Sequence, residues 1–108
     1  MLKPDDYRRV FSDGQRFVDR NFLVLVRLNG TDAARLGLAV SKKKLRRAVD
    51  RNLLKRLIRE SFRNHQSMLA GLDVVVVNRG ASMSDENGHY LDSLSLHWQR
   101  LAKTCKLS

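Results

Sequence analysis

Basic side chains recur at a fixed interval in the middle of this sequence. Arg47, Arg51, Lys55, Arg59 and Arg63 stand four residues apart. On a helix they would share one face, where like charges at this spacing are destabilising by roughly 0.2–0.5 kcal/mol per pair. The spacing is therefore typical of a surface whose charge is neutralised by a bound polyanion, and arginine forks suit phosphate oxygens.

The positive charge of the whole chain is concentrated in the same segment. Among 108 residues, 21 Lys and Arg outnumber 11 Asp and Glu, which gives a net charge of +10. Residues 41–63 hold ten of these basic residues and two of the acidic ones, and so carry +8 of the charge. The composition favours a nucleic acid as partner, with an anionic membrane surface as the rival.

Acidic residues do not form a pattern that indicates hydrolytic chemistry. Asp5 with Asp6 and Asp85 with Glu86 are adjacent pairs at predicted helix starts, where the helix dipole accounts for them. Metal-dependent cleavage would need carboxylates clustered around a metal ion. We therefore predict no catalytic residue in this chain.

Histidine and cysteine usage leads to the same expectation for metals and cofactors. His65, His89 and His97 lack a metal-ligand spacing, and each is expected at the surface. Cys105 is the single cysteine and is expected to be a small apolar residue near the C-terminus. The beginning of the chain lacks the apolar run of a secretion signal, so we expect a cytoplasmic protein.

The basic helix, predicted from about Leu45 to His65, needs other elements to position it. Before it we predict a short helix from Pro4 to near Gly14, strands within Phe17–Leu28, a turn at Asn29 and Gly30, and a strand at Leu36–Val40. After it, four consecutive valines in Asp73–Asn78 predict a central strand buried on both faces. Ser82 or Ser84 is expected to cap a last helix with an apolar stripe of Leu91, Leu94, Trp98, Leu101 and Cys105.

This order, α-β-β-β-α-β-α, predicts a single α+β domain over residues 1–108 with helices packed on one sheet. On the basic helix, the polar arc of about 100° contains Asn52, Lys55, Arg56, Arg59 and Arg63. Across from it lie the residues expected to pack on the sheet, which are Val49, Leu53, Leu54 and Leu57. Ile58 and Phe62 fall closer to the basic edge.

A continuous stretch of these elements resembles a known family. Leu38 to Phe62, LAVSKKKLRRAVDRNLLKRLIRESF, is similar to the signature of the bacterial ribonuclease P protein, including the Arg51-Asn52 opening of its RNR motif. The Tyr7–Phe11 segment followed by Gly14 resembles the family's first helix. The valine strand and the helix that bears Trp98 resemble its closing elements, so the likeness covers nearly the whole chain.

The resemblance implies a fold like the second domain of ribosomal protein S5, with a left-handed βαβ crossover. It also implies a protein subunit that binds the catalytic ribonuclease P RNA and the 5′ leader of precursor tRNA and assists removal of the leader. The chemistry, with its Mg²⁺, would belong to the RNA subunit.

Carried onto this sequence, the family's sites fall into two sets. The residues implied to bind the RNA subunit are Lys42, Lys43, Arg47, Arg51, Asn52, Lys55, Arg56 and Arg59. The residues implied to bind the leader are Tyr7 and Phe11, in a cleft between the first helix and the sheet. Leu53 stands where the motif has a second arginine, and Leu25 where some relatives carry an aromatic residue on the sheet wall of the cleft.

Four other functions remain open at this level. A ribosomal or RNA-chaperone protein would share the basic α+β composition. A helix-turn-helix DNA-binding protein is less favoured, because a strand and not a partner helix precedes Leu45. An independent nuclease would cleave RNA without an RNA subunit, and a membrane-binding protein would need an exposed apolar helix face.

The basic arc makes a first prediction about individual residues. Replacing Arg51 or Arg56 by Ala should weaken RNA binding and reduce its dependence on salt, because each removes a phosphate contact. The same change at Arg35, outside the arc, should have little effect. Titrations of RNA at several salt concentrations measure both quantities, and equal losses at all three positions would mean that bulk charge does the binding.

Overall fold

Three helices and four strands follow the predicted order in the computed structural model, which describes residues 2–19, 21–79 and 87–106. The elements are α1 (Pro4–Asp13), β1 (Gln15–Val18), β2 (Phe22–Leu28), β3 (Arg35–Ala39), α2 (Ala48–Asn64), β4 (Leu72–Asn78) and α3 (Asn87–Lys106). Helix α2 begins three residues later than predicted, because Leu45 is buried in the turn that precedes it.

The strands form one sheet in the order β1-β2-β4-β3. Strand β4 pairs with β2 antiparallel and with β3 parallel, which confirms its predicted central position. Helix α2 supplies the connection between the parallel neighbours β3 and β4. The left-handedness of this crossover stays an expectation drawn from the family.

Both faces of β4 are covered, and by different helices. Val74 and Val76 belong to a cluster with Leu54, Ile58 and Trp98, so α2 and α3 pack on that face. On the opposite face the buried cluster joins Val75 to three residues of other elements, Leu2, Val10 and Leu25. Among the helices that the structure describes, α1 is therefore the one that packs on the second face.

The predicted packing face of α2 is wrong in part. Val49 is 58% exposed, whereas Ile58 and Phe62 are buried together with Leu54. The buried arc is rotated because α2 contacts both the sheet and α3. The ring of Trp98 lies edge-on to Phe62 at 5.8 Å, and its Nε1 donates a hydrogen bond to Ser61 Oγ. A sequence pattern cannot locate this second neighbour.

The apolar stripe of α3 is confirmed at its centre. Leu94, Trp98 and Leu101 are fully buried, whereas Leu91 is exposed and does not belong to the core. The predicted caps Ser82 and Ser84 lie outside the described residues, as does the side chain of Cys105.

Histidine placement differs from the expectation of surface residues. His97 is buried, because α3 crosses the loop between β1 and β2 and brings His97 Nε2 to 3.0 Å from Asp19 Oδ2. His65 is half-buried, with Nδ1 2.7 Å from the carbonyl oxygen of Ser61. The side chain of His89 lies outside the described residues.

Asp19 links this loop to α3 and makes stability depend on pH. Burial opposes ionisation of its carboxyl group, but hydrogen bonds from the amides of Phe22 and Asn21 and the nearby His97 outweigh burial and lower the pKa of Asp19 below its ordinary value of 3.8. The stabilisation is therefore complete above about pH 4 and is lost as the pH falls through the lowered pKa.

Replacing Asp19 by Asn should remove this contribution. We expect the variant to be less stable than the parent chain near neutral pH, with a difference that shrinks as the pH falls below about 4. Urea unfolding at a series of pH values measures the difference. Asp32→Asn, in an exposed part of the β2–β3 loop, is the control and should stay close to the parent throughout. A constant difference for Asp19→Asn would contradict the prediction.

Candidate nucleic-acid interface

A turn of three lysines leaves the sheet at the end of β3, and Ser41 holds it in place. The amide of Ser41 donates to Asn78 Oδ1 at the end of β4, at 2.7 Å. Its hydroxyl accepts a hydrogen bond from the amide of Lys43, and its carbonyl oxygen accepts one from Leu45. The turn is thereby fixed to the central strand, which leaves the lysine side chains in solvent.

Helix α2 extends this turn into a basic surface. The N-cap residue Arg47 is exposed and lies 3.8 Å from Asp50, measured from Nε to Oδ2. Lys55 is half-buried on one flank of the helix. We call the exposed set the basic surface, and its members are Lys42, Lys43, Lys44, Arg46, Arg47, Asn52, Arg56, Arg59 and Arg63.

Arg51, a member of the predicted RNA-binding set, also stabilises the backbone of the protein itself. It is half-buried, and its Nη1 donates to the carbonyl oxygens of Leu45 and Arg46 at 2.9 and 2.7 Å. These hydrogen bonds fix the segment that connects the lysine turn to α2. Loss of Arg51 would therefore disturb the shape of the basic surface as well as its charge. Leu53, which stands at the motif's second arginine position, is half-buried.

On the opposite face of the sheet, a row of apolar residues crosses all four strands. Val18 pairs with Leu23, Leu23 with Val77, and Val77 with Ala39. Val18 is 51% exposed and the other three are half-buried. They lie on the same side as Leu25 and Val75, two residues further along β2 and β4, which α1 covers completely.

Helix α1 forms one wall along this row. Tyr7 packs against the same cluster as Leu23, Ala39 and Val77, and Phe11 follows one turn later on the same side of the helix. We call the row of Val18, Leu23, Ala39 and Val77 with these two aromatic residues the apolar groove. Leu25 is buried beneath α1 and does not contribute a wall to it.

The two aromatic residues of the apolar groove differ in their freedom. Phe11 is 52% exposed. Tyr7 is half-buried, and its hydroxyl accepts a hydrogen bond from the Leu38 amide at 2.9 Å and lies 3.5 Å from the Leu38 carbonyl oxygen. A methyl group at Gly37 would come within 2.6 Å of the Tyr7 ring, so the ring lies directly on the backbone of β3. Tyr7 positions α1, and Phe11 is the residue with a face open to a ligand.

Arg35 fixes the other side of α1 to the sheet. Its Nε and Nη2 donate to the buried carboxylate of Asp73, each at 2.7 Å, and its Nη1 lies 3.5 Å from Asp6 Oδ2. The hydrogen bonds to Asp73 raise the pKa of Arg35. The amide of Lys3 lowers the pKa of Asp6, with a further contribution from Arg35.

This network makes Arg35 an unsuitable control for tests of RNA binding. Arg35 is not a neutral position, because its removal would leave the carboxylate of Asp73 buried without its charged partner. The hydrogen bond between Ser41 and Asn78 was not predicted, because the sequence shows only a polar residue shortly after β3 and another at the end of β4. In residues 2–19, 21–79 and 87–106, no three His, Cys, Asp or Glu side chains are grouped as metal ligands would be.

Comparison with known proteins identifies the family. The sequence model of the Ribonuclease P family matches residues 1–102. The chain belongs to the ribonuclease P protein family. It is 48% identical over 105 residues to the ribonuclease P protein component of Thioalkalivibrio sulfidiphilus, covering 97% of this chain and 88% of the relative. It is 40% identical over 108 residues to that of Pseudoalteromonas atlantica, covering 100% and 90%.

Solved structures of ribonuclease P proteins share the fold. A Staphylococcus aureus RNase P protein mutant with defective mRNA degradation activity superposes with a TM-score of 0.83 at 36% identity, covering 95% of this chain and 86% of that one. The RNase P protein from Thermotoga maritima gives 0.82 at 31% identity, covering 92% and 94%. The α+β architecture is thus that of the ribonuclease P proteins.

Membership of the ribonuclease P protein family defines the general role of the chain. It is a protein subunit of a ribonucleoprotein endoribonuclease that processes the 5′ end of tRNA, its partner is an RNA subunit, and catalysis is by RNA. Within the described parts of the chain, no helix is both long enough and apolar enough to cross a bilayer.

Arg100 on α3 is a better control than Arg35 for a test of RNA binding by the basic surface. Arg56 is exposed on α2 and Arg100 is exposed on α3, on helices that cover the same face of the sheet. Arg56→Ala should weaken binding of a ribonuclease P RNA and lower the slope of log affinity against log salt by about one. Arg100→Ala should change neither quantity. Equal effects of the two substitutions would show that position on the basic surface does not matter.

Proposed function

We propose that the chain binds two RNAs at once, the RNA subunit through the basic surface and the 5′ leader of precursor tRNA in the apolar groove. One observation carries the proposal. The two surfaces belong to opposite faces of one sheet, and they approach each other at the end where β3 leads into the lysine turn. Binding both RNAs would hold the leader beside the catalytic RNA and assist its removal.

The charge and shape of the basic surface suit a structured RNA. Guanidinium groups on α2 can each grip two phosphate oxygens, and the lysines add point charges at its N-terminal side. Asn52 is exposed among them and can both donate to and accept from a 2′-hydroxyl group or a base edge. Such a surface contacts the backbone of folded RNA and does not depend on a particular base sequence.

The apolar groove suits single-stranded RNA. Its floor is aliphatic, and the exposed face of Phe11 offers a stacking surface for an unpaired base. Arg79 is exposed directly after β4, at the end of the sheet where Val77 lies; its Nη1 donates to the Asp19 carbonyl oxygen, and its other N–H groups can contact the leader backbone. A leader would thus meet both apolar and basic groups along one path.

The position of α2 on the sheet also argues against DNA and against a membrane as partners. A strand and a turn precede α2, so the partner helix of a DNA-reading helix-turn-helix motif does not stand there. The apolar face of α2 is occupied by the sheet and α3, which leaves it unavailable to a membrane. We propose that Mg²⁺ serves the RNA subunit and that the protein works in the cytoplasm with its RNA partners.

Cleavage of precursor tRNA tests the leader site. At low Mg²⁺, the parent chain should stimulate a bacterial ribonuclease P RNA more on a substrate with a long 5′ leader than on one with a single-nucleotide leader. Phe11→Ala should remove most of this leader-dependent part, since one stacked base contributes roughly 1–3 kcal/mol.

Leu96→Ala is the matched control, because Leu96 is equally exposed but lies on α3, on the other face of the sheet. It should keep the full leader-dependent stimulation. The proposal for the apolar groove fails if Phe11→Ala behaves like Leu96→Ala. Stimulation that does not depend on leader length would lead to the same conclusion.

A further inference from the structure

A cleft of about 220 Å³ opens between the C-terminal half of α2 and the edge strand β3. Its floor is apolar and is formed by Ala34, Leu36 and Phe62. It lies on the α2 side of the sheet, away from the apolar groove, because Leu36 and Phe62 belong to the core beneath α2. The family motif quoted from the sequence reaches this cleft only through Arg59 and Phe62.

Two arginines of α2, Arg59 and Arg63, line the same cleft. Residue Arg35 also borders the cleft, but its guanidinium group is held on the α1 side of the sheet by the carboxylates of Asp73 and Asp6. Arg59 and Arg63 stand one helical turn apart, are exposed, and form no ion pair with any carboxylate in the described parts of the chain. Two unpaired like charges beside an apolar floor are unfavourable unless an anion lies between or above them.

The dimensions and chemistry of the cleft fit one nucleotide. Its volume is smaller than the roughly 300–1,000 Å³ of pockets for drug-sized ligands, so it suits a single flat ring. Gln66 stands on the rim and carries both a donor and an acceptor, which can pair with the edge of a base. Unpaired bases in folded RNA are commonly splayed out and held by such combinations of apolar contact, arginine and amide groups.

We propose that this cleft holds one unpaired nucleotide of the RNA subunit, with its base on the apolar floor and its phosphates on Arg59 and Arg63. The inference rests on the proposed binding of the RNA subunit by the basic surface and extends that surface across α2 to the edge of β3. It adds three positions outside the predicted RNA-binding set, namely Ala34, Arg63 and Gln66.

Filling the cleft tests the proposal without changing any charge. Ala34→Met should reduce the affinity for a ribonuclease P RNA by about tenfold, the effect expected for one lost base contact, and should leave the salt dependence unchanged. Ala33→Met, at the adjacent and exposed position, is the control and should bind like the parent. Thermal unfolding of both variants checks that the domain remains folded.

Two further variants separate base from phosphate recognition. Gln66→Ala should weaken binding with no change in salt slope, whereas Arg63→Ala should lower the slope by about one. Chemical probing should show one unpaired base of the RNA subunit that the parent protects and Ala34→Met does not. If Ala34→Met is less stable, Gln66→Ala still tests the site, because Gln66 is exposed at the rim.

The outcomes distinguish this inference from the proposed function. If Ala34→Met and Gln66→Ala bind like the parent while Arg56→Ala does not, the basic surface stands and the nucleotide site is overturned. A lowered salt slope for Ala34→Met would show lost phosphate contacts in place of a lost base and would overturn it as well. If Arg56→Ala also binds like the parent, the proposed function itself fails.

Discussion

The fold depends on a central strand, β4, that is buried on both faces of the sheet. Val74, Val75 and Val76 of β4 are all fully buried, so both faces of the sheet must be covered. Burial of each valine is worth about 1.5–3 kcal/mol, which makes loss of either cover costly. Helix α1 covers one face, and α2 with α3 covers the other. The outer sides of these two layers face in opposite directions, and a small domain thereby obtains two separate surfaces, for each of which we propose an RNA partner.

The apolar groove follows from the shortness of α1. With ten residues, this helix is about 15 Å long and covers only part of a four-stranded sheet. It is held on one side by Arg35 through Asp6, and on the other by the Tyr7 hydroxyl on the backbone of β3. The row from Val18 to Ala39 is the portion of the face that remains open. A longer first helix would bury the row and remove the proposed leader site.

Sequence patterns predicted the elements well because each carries a local signal. The valine run, the turn at Gly30 with its positive φ, and the stripe of Leu94, Trp98 and Leu101 all depend on neighbours in the chain. The basic surface was predictable for the same reason, since charge density does not require knowledge of the fold. The family resemblance added the two proposed RNA partners, which no local pattern contains.

The errors concern contacts between elements that are distant in the sequence. The buried arc of α2 depends on Trp98, the burial of His97 on the loop at Asp19, and the task of Arg35 on Asp73. Ile58 and Phe62 lie near the polar arc of α2, and His97 and Arg35 are themselves polar, so the sequence alone predicts exposed side chains at these positions. Arg51 shows a related limit, because the sequence cannot separate an arginine that binds RNA from one that binds carbonyl groups of its own backbone.

The hydroxyl group of Tyr7 also covers part of the exposed edge of the sheet. Strand β3 is an edge strand, and an edge strand exposes backbone groups on which another chain can add a strand. Tyr7 contacts both the amide and the carbonyl oxygen of Leu38, and the amide of Leu2 donates to the carbonyl oxygen of Leu36 at 3.3 Å. The first helix and the segment before it therefore shield this edge against intermolecular β-pairing. The helix that forms one wall of the apolar groove thereby also covers the sheet edge at which another chain could pair.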